Sequence, residues 1–165
     1  MEKNTSEVHI WHKIIGRLNK VNIKYVVVGA AALVIHGLPR STLDIDIYVP
    51  AQEATLKKLF LIAEGLNLKS EQEDILRISH SPKLFANQWI CFSYKGQDVL
   101  DVFFADEKEF RKLYGNSEQK QDKTIILRVA SLDDIAAMKK TSGRPVDLAD
   151  IDIIKEFRKY KKDSI

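Results

Sequence analysis

The chain has 165 residues, 45% of them hydrophobic, and a formal net charge of +3 at pH 7. That length suits one domain, expected over residues 1–165 with its own core; the mild basicity permits nucleic-acid contact without demanding it. The lone cysteine, Cys91, excludes an intrachain disulfide framework and a cysteine-built zinc site, and the lack of a bilayer-length apolar run or a signal-like N-terminus points to the cytoplasm and away from membranes.

In chain order, Ser6 reads as an N-cap, and Val8, Ile10, Trp11, Ile14, Ile15 and Leu18 recur at helical spacing up to Val21. His9 and His12 are expected to face solvent. Ile23 to Val28 reads as a buried strand rich in β-branched residues. Gly29 breaks it, and Ala30 to His36 is a short Ala-rich helix closed by Gly37 and Pro39. Leu43 to Val49 then alternates, with Leu43, Ile45, Ile47 and Val49 on one face and Asp44, Asp46 and Tyr48 on the other.

This alternation points the carboxylates of Asp44 and Asp46 the same way. Two such groups repel unless a cation sits between them, and a hard divalent ion with oxygen ligands, Mg²⁺ above all, meets that need. Paired aspartates at a strand end are also common as solvated edge residues. Upstream, the small residues Gly29 and Ala30 lie where strand turns to helix, so a ligand can approach the backbone and the helix N-terminus favours an anion such as phosphate.

Beyond Pro50, Ala51 to Leu66 reads as a helix with Leu56, Leu59, Phe60, Ala63 and Leu66 on one face. Leu68 to Pro82 carries little pattern; Ile75 to Ile78 fits a short strand or a helical turn. Leu84 to Tyr94 and Val99 to Phe104 read as strands joined by a turn at Lys95–Asp98, with Cys91 a small buried hydrophobe. Val99, Asp101 and Phe103 share a face. Asp101 is thus a carboxylate within an apolar strand, costly to bury unpaired; Asp98 reads as a turn former. A helix or helical turn is expected over Asp106 to Tyr114, a polar loop over Gly115 to Lys123, and a strand over Ile125 to Val129. Ser131 with Asp134 resembles a capping box opening a helix to Lys140. Ser142-Gly143 stops it, and Pro145 restarts a helix whose buried stripe is expected to be Leu148, Ile151, Ile154 and Phe157. The basic end, Arg158 to Lys162, reads as a solvated helix terminus.

The combination of strand, small-residue turn, Arg40-Ser41-Thr42 and Asp44-Ile45-Asp46 resembles the signature of the DNA polymerase β-like nucleotidyltransferases, in particular the small bacterial AbiEii-related and minimal nucleotidyltransferases. Ala30 departs from it, since Gly or Ser is usual there. The segment Ser131 to Ile151 is also similar to the AbiEii-related group, in which a lysine late in one helix and an aspartate early in the next contribute to the nucleotide site. By position these are Lys139 and Asp147, with Arg144 between them.

The resemblance implies an α/β fold, a mixed sheet of about four or five strands with helices mainly on one face. It implies catalytic roles for Asp44, Asp46, Asp101, Lys139 and Asp147. Asp44, Asp46 and Asp101 would hold Mg²⁺, and Gly29, Ala30, Arg40, Ser41 and Lys139 would bind the nucleotide. The implied reaction moves a nucleoside monophosphate from a nucleoside triphosphate to a hydroxyl of a tRNA, a protein or a small molecule, with a cognate toxin or antitoxin as a partner. The alternatives are a catalytically weak regulator or antitoxin-like binding protein on a retained fold, and an antibiotic nucleotidyltransferase of the kanamycin or lincosamide type, which the Lys139 to Asp147 segment disfavours.

Overall fold

Three consecutive valines form strand β1 (Val26–Val28), buried on both faces, as an unbroken β-branched run allows. A computed structural model describes residues 3–163, without the side chains of residues 3–9, Glu73 and Asp163. Around β1 the chain places β2 (Ile45–Pro50), β3 (Trp89–Tyr94), β4 (Gln97–Ala105), β5 (Glu118–Asp122) and β6 (Ile125–Val129) in one sheet of order β3-β4-β2-β1-β6-β5. β2 runs parallel to β4, and β1 parallel to β6; the β1–β2, β3–β4 and β5–β6 pairs are antiparallel.

The helices are α1 (Lys3–Lys20), α2 (Gly29–Ile35), α3 (Glu53–Gly65), α4 (Pro82–Phe85), α5 (Glu107–Asn116), α6 (Leu132–Ser142) and α7 (Pro145–Asp163), with a 3₁₀ turn at Glu73–Arg77. Helix α1 packs on α3 and the sheet through Ile10, Ile14, Ile15 and Leu18. It starts before Ser6, and the side chains of Ser6, Val8 and His9 lie outside the described residues. Ile45, Ile47 and Val49 face the core with Ile90, Val102 and Phe104, while Asp46, Tyr48, Asp101 and Phe103 lie on the opposite face, only partly covered. Among the described residues no helix is long and apolar enough to cross a membrane.

Several expectations are corrected. The sheet has six strands, because the polar segment after α5 is an edge strand. β5 carries almost no buried residue, so it has no alternation to read; its backbone pairing with β6 makes it a strand, and its charges suit an unpaired edge. β3 begins only at Trp89. Pro82 opens a helical turn, and Asn87 takes a left-handed φ of 66° that redirects the chain. Lys95 and Gly96, at φ of 50° and 81°, make a two-residue hairpin turn, so Asp98 belongs to β4. A register shift at Phe92/Ser93 sets Asp98 opposite Ser93.

Leu43 is 52% exposed and Leu148 51% exposed, against the buried roles expected of them. The buried side of α7 starts instead with Asp147 and Asp150, and continues through Ile154. His12 is largely covered, its Nε2 lying 3.1 Å from Asp122 Oδ2, and Cys91 is only half-buried. The capping at Ser131 is as read: its hydroxyl accepts from the Asp134 N–H at 3.1 Å.

The rotated face of α7 and the depth of the core can be weighed in one denaturant series. Phe104, 1% exposed and packed on Phe85 at a centroid distance of 4.4 Å, should cost about 3–5 kcal/mol of unfolding free energy as Phe104→Ala. Leu148→Ala should stay within about 0.5 kcal/mol of wild type.

Candidate active site

Strand register builds the site. Parallel pairing sets Asp46 of β2 beside Asp101 of β4, and antiparallel pairing sets Cys91 of β3 beside Asp101. The next row along the same face is Tyr48, Phe103 and Trp89, with the rings of Tyr48 and Phe103 stacked at 5.3 Å. Asp44 stands just before β2, steadied by Thr42, whose hydroxyl donates to Asp44 Oδ1 at 2.8 Å. Asp44, Asp46 and Asp101 each place a carboxylate oxygen within 4.8 Å of the others.

These three groups strain one another when no cation is between them. Burial, then the charges of Asp44 and Asp101, push the Asp46 carboxyl up to about 7. Burial also raises Asp101. Asp101 Oδ1 is, among the described residues, the one buried side-chain nitrogen or oxygen without a hydrogen-bond partner. An orphaned carboxylate oxygen facing two further carboxylates is an oxygen-only donor set that fits a hard divalent cation.

Gly29 makes the close approach of β2 to α2 feasible. Its φ is 68°, and a Cβ there would stand 2.3 Å from Asp46 Oδ2. The glycine therefore leaves room for a carboxylate of the protein as well as for a ligand. Ala30 is the second residue of α2, whose start has no side-chain cap.

Across the cleft stands a positive wall. Lys139 is buried, its Nζ 2.7 Å from Asp150 Oδ2 and 3.6 Å from Asp147 Oδ1. Arg40 donates through Nε to Asp150 at 2.9 Å, and Arg144 through Nε to Asp147 at 2.8 Å. The Arg144 hydrogen bond holds the Asp147 carboxyl down at about 2. A carboxylate so acidic is a weak general base, so the geometry suits Asp147 to orienting Lys139 and Arg144. Three cations meet two carboxylates here, which leaves an excess positive charge.

Gly29, Asp46, Tyr48, Lys139, Arg144 and Asp147 line a cleft of about 160 Å³. Ligand pockets commonly reach ~300–1,000 Å³, so this volume suits a polyphosphate better than a whole nucleotide. Of the residues singled out in the sequence, the fold brings together Gly29, Asp44, Asp46, Asp101, Lys139 and Asp147. Arg40 is turned toward Asp150, and Ser41 is exposed beside it. Asp150 escaped the sequence reading, and Thr42 was read only as part of the Arg40-Ser41-Thr42 signature, without a role. Asp150 lies three residues after Asp147, on the same face of a helix, and Thr42 precedes Asp44 by the two-residue offset of a local side-chain bond.

A model of the family described as nucleotidyltransferase of unknown function (DUF6036) matches residues 11–157. Solved structures share the fold. ANT(2")-Ia, solved in complex with adenylyl-2"-tobramycin, is 17% identical with a TM-score of 0.64, the match covering 96% of this chain and 92% of that one. TM1012 of Thermotoga maritima is 14% identical with a TM-score of 0.59, covering 97% and 95%. An antigenic nucleotidyltransferase-like protein of Paracoccidioides brasiliensis is 15% identical with a TM-score of 0.57, covering 91% and 76%. No curated protein matches the chain.

Two outcomes follow from the crowding at Asp46. Its folded pKa of about 7 lies well above the ordinary 3.8 of an aspartate, so the stability held by the protonated form is present in full below about pH 4 and lost as pH rises through 7. In chelator-treated protein, Asp46→Asn should therefore gain on the order of 1 kcal/mol over wild type at about pH 8 and little at about pH 5, with added divalent ion closing the gap. Thermal melts across pH, with and without ion, read this directly. Gly29→Ala should displace the Asp46 carboxylate and weaken divalent-ion affinity at least about tenfold by calorimetry; unchanged affinity would contradict the packing of Gly29 on Asp46.

Proposed function

Because the chain belongs to the DUF6036 family of nucleotidyltransferases of unknown function, we propose that it transfers a nucleoside monophosphate from a nucleoside triphosphate to an acceptor hydroxyl, using Mg²⁺ held by Asp44, Asp46 and Asp101. The observation that carries this reading is the carboxylate triad itself, with the orphaned Asp101 Oδ1, set against a cationic wall. Bound there, Mg²⁺ would neutralise phosphate charge and lower the pKa of the acceptor hydroxyl.

The remaining work falls to residues of the chain. Lys139 is a fixed cation for the phosphates, already ordered by Asp147 and Asp150, so little entropy is lost on binding. Arg144, 70% exposed, holds Asp147 through Nε and Nη2, which leaves Nη1 to reach toward a phosphate. The amides of Gly29 and Ala30 at the start of α2 offer uncapped donors. Arg40 ties the loop before β2 to α7, and Thr42 aligns Asp44, which makes both positioning residues. The acceptor oxygen bonds to the α-phosphorus and the bond to the bridging oxygen breaks. Pyrophosphate leaves with the electron pair, and the hydroxyl proton passes to water. Positioning and charge neutralisation account for most of the rate.

Calorimetric titration of ATP, GTP, CTP and UTP in Mg²⁺ tests this. Wild type should bind at least one saturably, and the Asp44→Ala/Asp46→Ala double variant should bind about 100-fold more weakly or not at all. Binding that appears only after co-expression with a cognate toxin or antitoxin would favour the toxin–antitoxin reading. No binding by folded protein, alone or with such a partner, would sink the transferase assignment.

A further inference from the structure

A second cavity, of about 670 Å³, opens on the far side of Asp101 from the cationic cleft. Its floor is β3 and the start of β4, through Trp89, Cys91 and Asp98; its wall is the segment after α3, through Lys69, Glu71 and Gln72. Its volume lies within the ~300–1,000 Å³ typical of small-molecule sites.

The wall is tied down. Lys69 and Ser93 exchange two backbone hydrogen bonds, at 2.9 and 2.8 Å. The Gln72 side chain accepts from the Cys91 N–H at 2.7 Å and donates to the Trp89 carbonyl at 3.4 Å. Residues 69–72 thus stand in for a further strand, satisfying the open edge of β3 and holding the cavity in shape.

Its place relative to the carboxylates follows from the register. The row across the sheet is Val28, Asp46, Asp101, Cys91. The cationic cleft lies at the Val28 and Asp46 end, the second cavity at the Cys91 end. Displacement at phosphorus places the attacking oxygen and the leaving group on opposite sides. With phosphates over Lys139 and Arg144, the attacking hydroxyl arrives from the β3 end.

The chemistry of the lining selects the occupant. Glu71 and Asp98 outnumber Lys69, and the indole of Trp89 is 43% exposed. Carboxylates beside an open aromatic face suit a protonated amine. The same charges disfavour the phosphates of an RNA end. Resting on the nucleotidyl-transfer reading, we infer that this cavity is the acceptor site and takes a small, hydroxyl-bearing compound with protonated amino groups. The hydroxyl forms the new O–P bond and pyrophosphate departs with the electrons of the broken one. The proton goes to water, and the ammonium groups stay with Glu71 and Asp98.

The test uses the full chain and the fluorescence of Trp89, with Trp89→Phe identifying its share of the signal. The probes are streptamine (a diamino cyclitol), inositol as its hydroxyl-only counterpart, and a short single-stranded RNA. Streptamine should shift the emission saturably while inositol and RNA do not. Glu71→Gln and Asp98→Asn should each weaken it about tenfold, with Mg²⁺-dependent nucleotide binding unchanged by calorimetry. Equal binding of inositol, displacement of streptamine by RNA, or an unchanged Kd in the paired Glu71→Gln/Asp98→Asn variant would overturn the assignment. If wild type binds nucleotide but not streptamine, the acceptor site alone falls; if it binds no nucleotide, the transferase reading falls and this inference with it.

Discussion

The mutual repulsion of Asp44, Asp46 and Asp101 is the constraint to which the surrounding structure answers. Carboxylate oxygens within 4.8 Å of one another cannot all stay ionised without a counter-charge. Burial first, and then the charges of Asp44 and Asp101, push the Asp46 carboxyl up to about 7. The neighbourhood nonetheless preserves the arrangement. Gly29 gives up a side chain to leave room for Asp46, and Thr42 pins Asp44. The parallel register of β2 and β4 places Asp101 where its Oδ1 meets no protein donor.

The opposing wall solves the converse problem. A buried lysine is costly unless paired, and Lys139 is paired twice. Asp150 serves Lys139 and Arg40 together, so one carboxylate fastens α6 and α7 to the loop that leads into β2. The Arg40–Asp150 pair thus ties the cationic half of the site to the loop that carries Ser41 and Thr42 and leads to Asp44. The sheet then divides its exposed face by charge, with a cationic cleft at one end of the carboxylate row and an acidic, aromatic cavity at the other. Such a division suits a reaction between an anionic donor and a cationic acceptor.

Much of this was legible in the chain. The alternation from Leu43 to Val49 located β2 and the outward face of Asp46 through the strand's period of two, but the strand begins only at Ile45, and Asp44 is held beside Asp46 by the loop and Thr42. Asp101 stood out as a carboxylate in an apolar strand. The helix stops at Gly37 and Gly143 and the cap at Ser131 are local, and local chemistry survives tertiary context. Where the reading failed, the deciding contact was distant in sequence. β5 is a strand only because β6 lies beside it. Leu148 yields the buried face of α7 to Asp147 and Asp150, since polar partners on α6 and before β2 await them there. Asp98 leaves its expected turn because left-handed Lys95 and Gly96 close the hairpin two residues earlier.

By itself, then, the sequence determined the outline of the candidate site: neighbouring carboxylates at the start of a strand after a small-residue turn, with a third on an apolar strand. Hydrophobic period and backbone conformational preference act over a few residues and can be read directly from them. The tertiary structure alone decided which cations face those carboxylates, which are buried and paired, and where the second cavity opens. Those depend on strand register and on ion pairs between residues as far apart as Arg40 and Asp150, and such pairs form only after the sheet has brought their elements together.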